Sequence, residues 1–125
     1  MNPALDSVEY AFCAASDAET IAKAQTHALC LFREHEATSL ILPCARAGAL
    51  GFDMSLPMRR IVLEVNSALD GVGLTAAAAS ALAAAAIPCN FVAAYRHDHV
   101  FVPAELAERA LAILKRLQAE ARGFS

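Results

Sequence analysis

The order of predicted elements in the second half of the chain restricts it to a small set of folds. Residues Arg60–Asn66 place Ile61, Leu63 and Val65 on one side, which predicts a strand with one buried face. An apolar stripe at helical spacing, closed by a proline, predicts an amphipathic helix after it. This helix is predicted at Gly73–Ala86. After it we predict two strands, Cys89–Tyr95 and Val100–Val102, joined by the polar turn Arg96–His99. A last helix is predicted from Pro103 to about Ala119.

A strand, a helix, a hairpin and a second helix form the split βαβ arrangement of ferredoxin-like folds. We therefore predict an α+β protein whose antiparallel sheet carries its helices on one face. Too few residues follow the last helix to supply the final strand of such a unit. We expect the N-terminal half or another subunit to fill that edge, unless it stays exposed.

The N-terminal half repeats the order more weakly, with a strand, a short helix and two further strands. Residues Pro43–Pro57 contain two glycines and two prolines with little periodicity, so we interpret them as a connection. The sequence thus predicts an abbreviated unit at residues 1–57 and a fuller domain at 58–125. The N-terminal elements are predicted at Val8–Cys13, Asp17–Ala24, Ala28–Arg33 and Thr38–Leu42.

Composition narrows the possible partners and location. The formal charge is -3 and no block of like charge occurs, which argues against nucleic acid and anionic membranes as partners. The longest apolar stretch, Val72–Ile87, is interrupted by polar residues and is mostly alanine, so we predict a buried helix and no membrane span. Asp6 and Glu9 lie where a secretory signal needs basic residues, and the four cysteines show no ligand or disulfide spacing. We expect a cytoplasmic protein with reduced thiols.

The turn at Asn66–Thr75 is a candidate site, although by itself it is a weak signal. It joins a strand to a helix and contains two glycines, so unpaired N–H groups at the front of the helix could bind a carboxylate. The alternative is an ordinary loop in which Ser67, Asp70 or Thr75 caps the helix and nothing binds.

Two segments of this half resemble the ACT domain: RRIVLEVNSALDGVGLTAA at residues 59–77 and AIPCNFVAAYRHDHVFVP at residues 86–103. The resemblance covers nearly all of residues 59–117. It is greatest to small tandem ACT proteins related to the regulatory domains of aspartate kinases and to the eukaryotic arginine sensors. The segment EATSLILP at residues 36–43 is similar to a strand that precedes the second ACT unit in those proteins.

The resemblance implies a regulatory module that binds a small ligand, often an amino acid, between ACT units and performs no catalysis. We predict no cofactor, and a regulated protein partner is possible because a free-standing module must pass its change to something else. The missing strand and the alanine-rich helix, which both leave surfaces to cover, favour a homodimer. Carried over from the family, the ligand-binding residues are Ser67, Ala68, Leu69, Asp70, Val72, Gly73, Leu74, Thr75 and Asn90.

Two alternatives remain open from the sequence. His97 and His99 would point to the same side of a strand, a spacing that metals use, and with Asp98 they could form a small enzyme or metal site. A metal needs three or four ligands, however, and the other histidines are His27 and His35, so we predict no metal and a hairpin tip in solvent. The second alternative is an ACT dimerisation scaffold with an empty turn.

Overall fold

The computed structural model describes residues 1–64 and 73–123. By their contacts they divide into two compact units: an N-terminal unit, Val8–Met58, and a C-terminal unit made of Met1–Ser7 and the chain from Arg59 onward. The strands are β1 (Ala4–Ala15), β2 (Cys30–Arg33), β3 (Thr38–Pro43), β4 (Met58–Glu64), β5 (Asn90–Ala93) and β6 (His97–Pro103). The helices are α1 (Ala18–Gln25), α2 (Cys44–Ala49), α3 (Leu74–Ala84) and α4 (Ala107–Gly123), with a 3-10 turn at Ala104–Leu106.

The N-terminal unit has the strand order β2-β3-β1, and both pairs are antiparallel. Helix α1 begins where Asp17 accepts a hydrogen bond from the Thr20 backbone N–H at 2.9 Å, an N-cap. Helices α1 and α2 both contact β3. The core of this unit is built mostly from small side chains, namely Ala11, Cys13, Ala15, Ala24, Leu40, Leu42 and Ala47.

The C-terminal unit has the order β1-β4-β6-β5, in which β1 takes part through its first residues. Strands β5 and β6 form the expected antiparallel hairpin, with Asn90 opposite Phe101 and Val92 opposite His99. Helices α3 and α4 contact each other. The fully buried residues of the core are Ile61, Leu63, Ala78, Leu82, Val100, Val102, Ala107, Ala110 and Leu114, with Ile87 at 2% exposure.

Residues Ala4–Ser7 of β1 lie beside β4, at the edge that the sequence left without a strand. Of the possibilities open from the sequence, the N-terminal half therefore fills this edge. Leu5 and Met1 pack against the C-terminal core, so the segment is held by apolar contact as well as by the sheet. The missing strand consequently gives no reason to expect a second subunit at this position.

The α+β ferredoxin-like fold is confirmed, with three local corrections. Residues Pro43–Pro57 are not only a connection, because they contain α2. Strand β6 begins at His97, so the predicted turn Arg96–His99 is wrong; the Ala94 backbone N–H donates to the His97 carbonyl at 3.0 Å and closes a tighter turn. Helix α4 begins after a 3-10 turn and continues to Gly123, whereas the sequence predicted a helix that ends at about Ala119.

Candidate functional site

The predicted ligand turn follows β4, but most of it lies outside the described residues. The predicted ligand residues that lie outside the described part are Ser67, Ala68, Leu69, Asp70 and Val72. The described part begins at Gly73, the N-cap of α3, with φ of 102°. An added Cβ would meet no atom within 4 Å there, so the backbone conformation, and not crowding, favours glycine.

Among the described residues no side chain caps the front of α3, since the N-cap Gly73 offers no acceptor. The first helical bond runs from the Ala77 N–H to the Gly73 carbonyl at 2.9 Å, so the N–H groups of Leu74, Thr75 and Ala76 precede it. Leu74 is half-buried and Thr75 is exposed. Unpaired N–H groups and the helix dipole together favour an anion at such a position.

Asn90, the other predicted contact, is the exposed first residue of β5. It follows the C-terminal end of α3, where the Ile87 N–H donates to the Leu82 carbonyl at 3.0 Å and fixes the connection to the last helical turn. An α-helix of this length spans about 16 Å. Gly73–Thr75 thus form one end of α3, and Asn90 comes after the other.

His97 and His99 lie on the same side of β6, as the sequence indicated, in a group with Arg60 and Asp6. The His99 Nδ1 atom is 3.4 Å from Arg60 Nη1, and Arg60 donates to the Asp6 carboxylate from Nη2 at 2.8 Å and from Nε at 3.1 Å. The side chains of Arg60 and Asp6 are only 19% and 16% exposed. The sequence analysis missed this group because its members are far apart in the chain.

The surroundings of His99 disfavour its charged form. Burial lowers the pKa of His99, and the charges of Arg60 and His97 add to the effect, while Asp98 opposes it. The Nδ1 atom of His97 is buried and has no hydrogen-bond partner in the described part of the chain. Within residues 1–64 and 73–123, no three His, Cys, Asp or Glu side chains are grouped to hold a metal ion.

Cys89, next to the predicted contact Asn90, is a free thiol and half-buried. Burial raises its pKa, which favours the neutral thiol over the nucleophilic thiolate. Burial is the cause of this shift, and no charged neighbour among the described residues lowers the pKa as an activated nucleophile would need.

Comparison with known proteins identifies the family. One ACT domain model matches residues 1–59 and a second matches residues 56–116. The chain belongs to the ACT domain family. Membership supports a regulatory, ligand-binding role, as the sequence resemblance implied.

Several solved structures match this chain over most of its length. A Vibrio cholerae protein of unknown function, described as a possible transport protein, is 38% identical and has a TM-score of 0.82; the match covers 90% of this chain and 85% of that one. Aspartokinase alpha and beta subunits are 12% identical with a TM-score of 0.64, over 93% and 96% of the two chains. The ligand-free regulatory subunit of Thermus thermophilus aspartate kinase is 15% identical with a TM-score of 0.60, over 91% and 94%. At these low identities the last two share the fold.

No curated protein sequence matches the ACT chain significantly. No helix among the described residues is long and apolar enough to cross a membrane.

Proposed function

We propose that this protein is a regulatory module that binds an amino acid or a similar small metabolite and does not catalyse a reaction. In this proposal residues 1–57 and 58–125 are two ACT units, and the cytoplasm is the location. The front of α3 carries the proposal: within the described residues no side chain caps this helix N-terminus, and the chain belongs to the ACT family.

The α-carboxylate of an amino acid fits the N–H groups of Leu74, Thr75 and Ala76. Because Gly73 has no side chain, nothing at the N-cap competes with the ligand for these donors. The turn before it would supply the remaining contacts at Ser67, Ala68, Leu69, Asp70 and Val72, and the Asp70 carboxylate would meet the ligand ammonium.

Asn90 would contribute its amide oxygen from a second ACT unit. Within one unit, Gly73 precedes the first turn of α3 and Asn90 comes after its last turn, so a ligand that touches both is best shared between two units. A second copy of the chain can supply that unit, and this, rather than a missing strand, is the reason we propose a homodimer.

Regulation would follow from linkage. A ligand held between two units stabilises the paired arrangement only by the difference between its affinities for the paired and unpaired states. If only the paired state binds, a ligand present at a hundred times its dissociation constant would stabilise that state by about 2.7 kcal/mol. Such a shift is enough to change the fraction of dimer and, through it, the binding of a protein partner.

The test is a thermal-shift screen of the full chain against the twenty amino acids, followed by calorimetric titration of those that respond. We expect one or two amino acids to raise the melting temperature, and Asp70→Ala and Asn90→Ala to abolish the response. The control is Ser80→Ala, a substitution at an exposed position of α3. This variant should respond to the amino acid like the natural chain.

Sedimentation with and without the responding amino acid tests the linkage to assembly. A larger dimer fraction with ligand supports regulation through self-association. A flat screen would contradict the sensor and leave a dimerisation scaffold, whereas binding that survives both alanine substitutions would place the ligand elsewhere.

A further inference from the structure

The N-terminal unit contains a groove of about 360 Å³ between its two helices, apart from the site proposed above. Its volume lies in the range of small-molecule sites, about 300–1,000 Å³. Helix α1 and the residues after it form one wall, and α2 forms the other. The lining residues are Ala22, Lys23, Thr26, His27, Arg46, Ala49 and Leu50.

The lining contains a lysine, an arginine and a histidine and no acid, although acids outnumber bases in the chain by 13 to 10. Within the described residues, the Arg46 guanidinium and the His27 imidazole have no ion-pair or side-chain hydrogen-bond partner. Lys23 is 3.2 Å from Glu19, but both side chains are largely exposed, at 62% and 78%, so this pair is weak. An anionic ligand could therefore bind the Arg46 and His27 side chains directly, and it could displace the weak pairing of Lys23 with Glu19.

The carbonyl groups at the ends of the two helices, which repel anions, are largely occupied by the chain itself. At the end of α1, the Thr26 hydroxyl donates to the Lys23 carbonyl at 3.1 Å, and the His27 N–H donates to the Ala24 carbonyl at 3.0 Å. At the end of α2, the Leu50 N–H donates to the Arg46 carbonyl at 3.1 Å. These carbonyl oxygens are therefore already hydrogen-bonded within the chain.

The remaining lining is apolar and can contact carbon atoms. Ala22, Ala49 and Leu50 present small aliphatic surfaces beside the basic side chains. A small apolar wall with a few convergent polar groups is typical of sites for small organic molecules.

We propose that this groove binds a small organic anion whose carboxylate or phosphate group is held by Arg46 together with Lys23 and His27. The guanidinium matches either oxyanion with two parallel hydrogen bonds. The proposal does not depend on the amino-acid site at the front of α3, because every residue used here lies in the N-terminal unit.

The test is a titration of the ¹⁵N-labelled full chain, at constant ionic strength, with inorganic phosphate and separately with succinate. We expect saturable shifts of the amide signals of Ala22–His27 and Arg46–Leu50. Arg46→Gln should weaken binding by about tenfold, the loss of one charge-assisted pair of hydrogen bonds. Arg33→Gln makes the same change of charge in the same unit outside the groove, and it should leave binding unchanged.

The outcomes separate the ligand classes. Saturation by phosphate alone assigns a phosphate-bearing ligand, and saturation by succinate alone assigns a carboxylate. Shifts that do not saturate, that spread over the surface, or that are equally weakened by Arg33→Gln overturn the proposal. Thermal unfolding of both variants checks that they remain folded, and because Arg46 is exposed, its substitution should not lower stability.

Discussion

Arg60 joins β4 to the start of β1 through a two-point contact with Asp6, from Nη2 at 2.8 Å and from Nε at 3.1 Å to the same carboxylate oxygen. Arg59 reinforces the junction, because its Nε and Nη2 atoms donate to the Asp6 main-chain carbonyl at 3.2 and 3.0 Å. The two arginines therefore hold both the backbone and the side chain of one residue, 53 and 54 positions earlier in the chain.

Asp6→Asn should destabilise the protein by about 1–3 kcal/mol, because it leaves the guanidinium of a half-buried arginine without its counter-charge. The measurement is urea unfolding followed by circular dichroism. Glu105→Gln removes an exposed carboxylate from the same unit and serves as the control, with an expected change below about 0.5 kcal/mol. Equal effects of the two substitutions would mean that the contact between Asp6 and Arg60 contributes nothing to stability.

Stability should fall as the pH is lowered from about 7.5 to about 5.5, in part through His99. Burial, Arg60 and His97 lower the pKa of His99, so the unfolded chain takes up this proton more readily than the folded one. The loss begins as the pH falls through the ordinary value of about 6.5 and levels off below the lowered pKa of the folded state. Well above the ordinary value, His99 is neutral in both the folded and the unfolded chain and contributes no pH dependence.

The check is the melting temperature of His99→Gln across this pH range, with His35→Gln, an exposed histidine, as its control. The substitution at position 99 should flatten the profile, while the control should keep its slope. An unchanged slope in His99→Gln would assign the effect to other groups.

Ala86→Gly should stabilise the protein by about 1 kcal/mol. Ala86 has φ of 60° and closes α3 in a Schellman arrangement, with its own N–H bonded to the Ala83 carbonyl and that of Ile87 to the Leu82 carbonyl. Glycine adopts this left-handed conformation without the strain that a Cβ introduces. Ala83→Gly, three residues earlier within the helix, should instead destabilise by roughly 0.5–1 kcal/mol. Two changes of the same sign would contradict the assignment of the cap.

Leu82→Ala should cost about 2–5 kcal/mol, because the side chain is fully buried in the C-terminal core and its removal leaves a cavity. Leu56→Ala, at a side chain that is 62% exposed, should change stability by less than about 0.5 kcal/mol. The comparison uses the midpoint of urea unfolding, and similar midpoints would mean that Leu82 is not part of the core.

The elements predicted well are those with a repeated pattern. Helix α3, the β5–β6 hairpin and α4 each have enough turns or alternations for the periodicity to be read. Helix α2 was missed because six residues with a glycine give too little pattern. The start of β6 was missed because His97 and His99 lie on the side of the strand away from Val100 and Val102, so polar residues there looked like a turn.

The long-range features could not be predicted. Asp6 and Ser7 interrupt the alternation before Val8, so the beginning of β1 gave no strand signal, and its position beside β4 depends on tertiary packing. Asp6, Arg60 and His99 come from three separate strands, and no local spacing connects them. Of the predicted ligand residues, Gly73 was carried over from the family resemblance, and its left-handed backbone at the front of α3 was not predicted.

The first residues of β1, which belong to the C-terminal unit, also set the order in which contacts can form during synthesis. Asp6 leaves the ribosome more than fifty residues before Arg60, which is the partner of its carboxylate. A contact of such sequence separation forms late and slows folding. Leu5, which packs against the C-terminal core, therefore lacks its β4 neighbour until some fifty further residues have been translated.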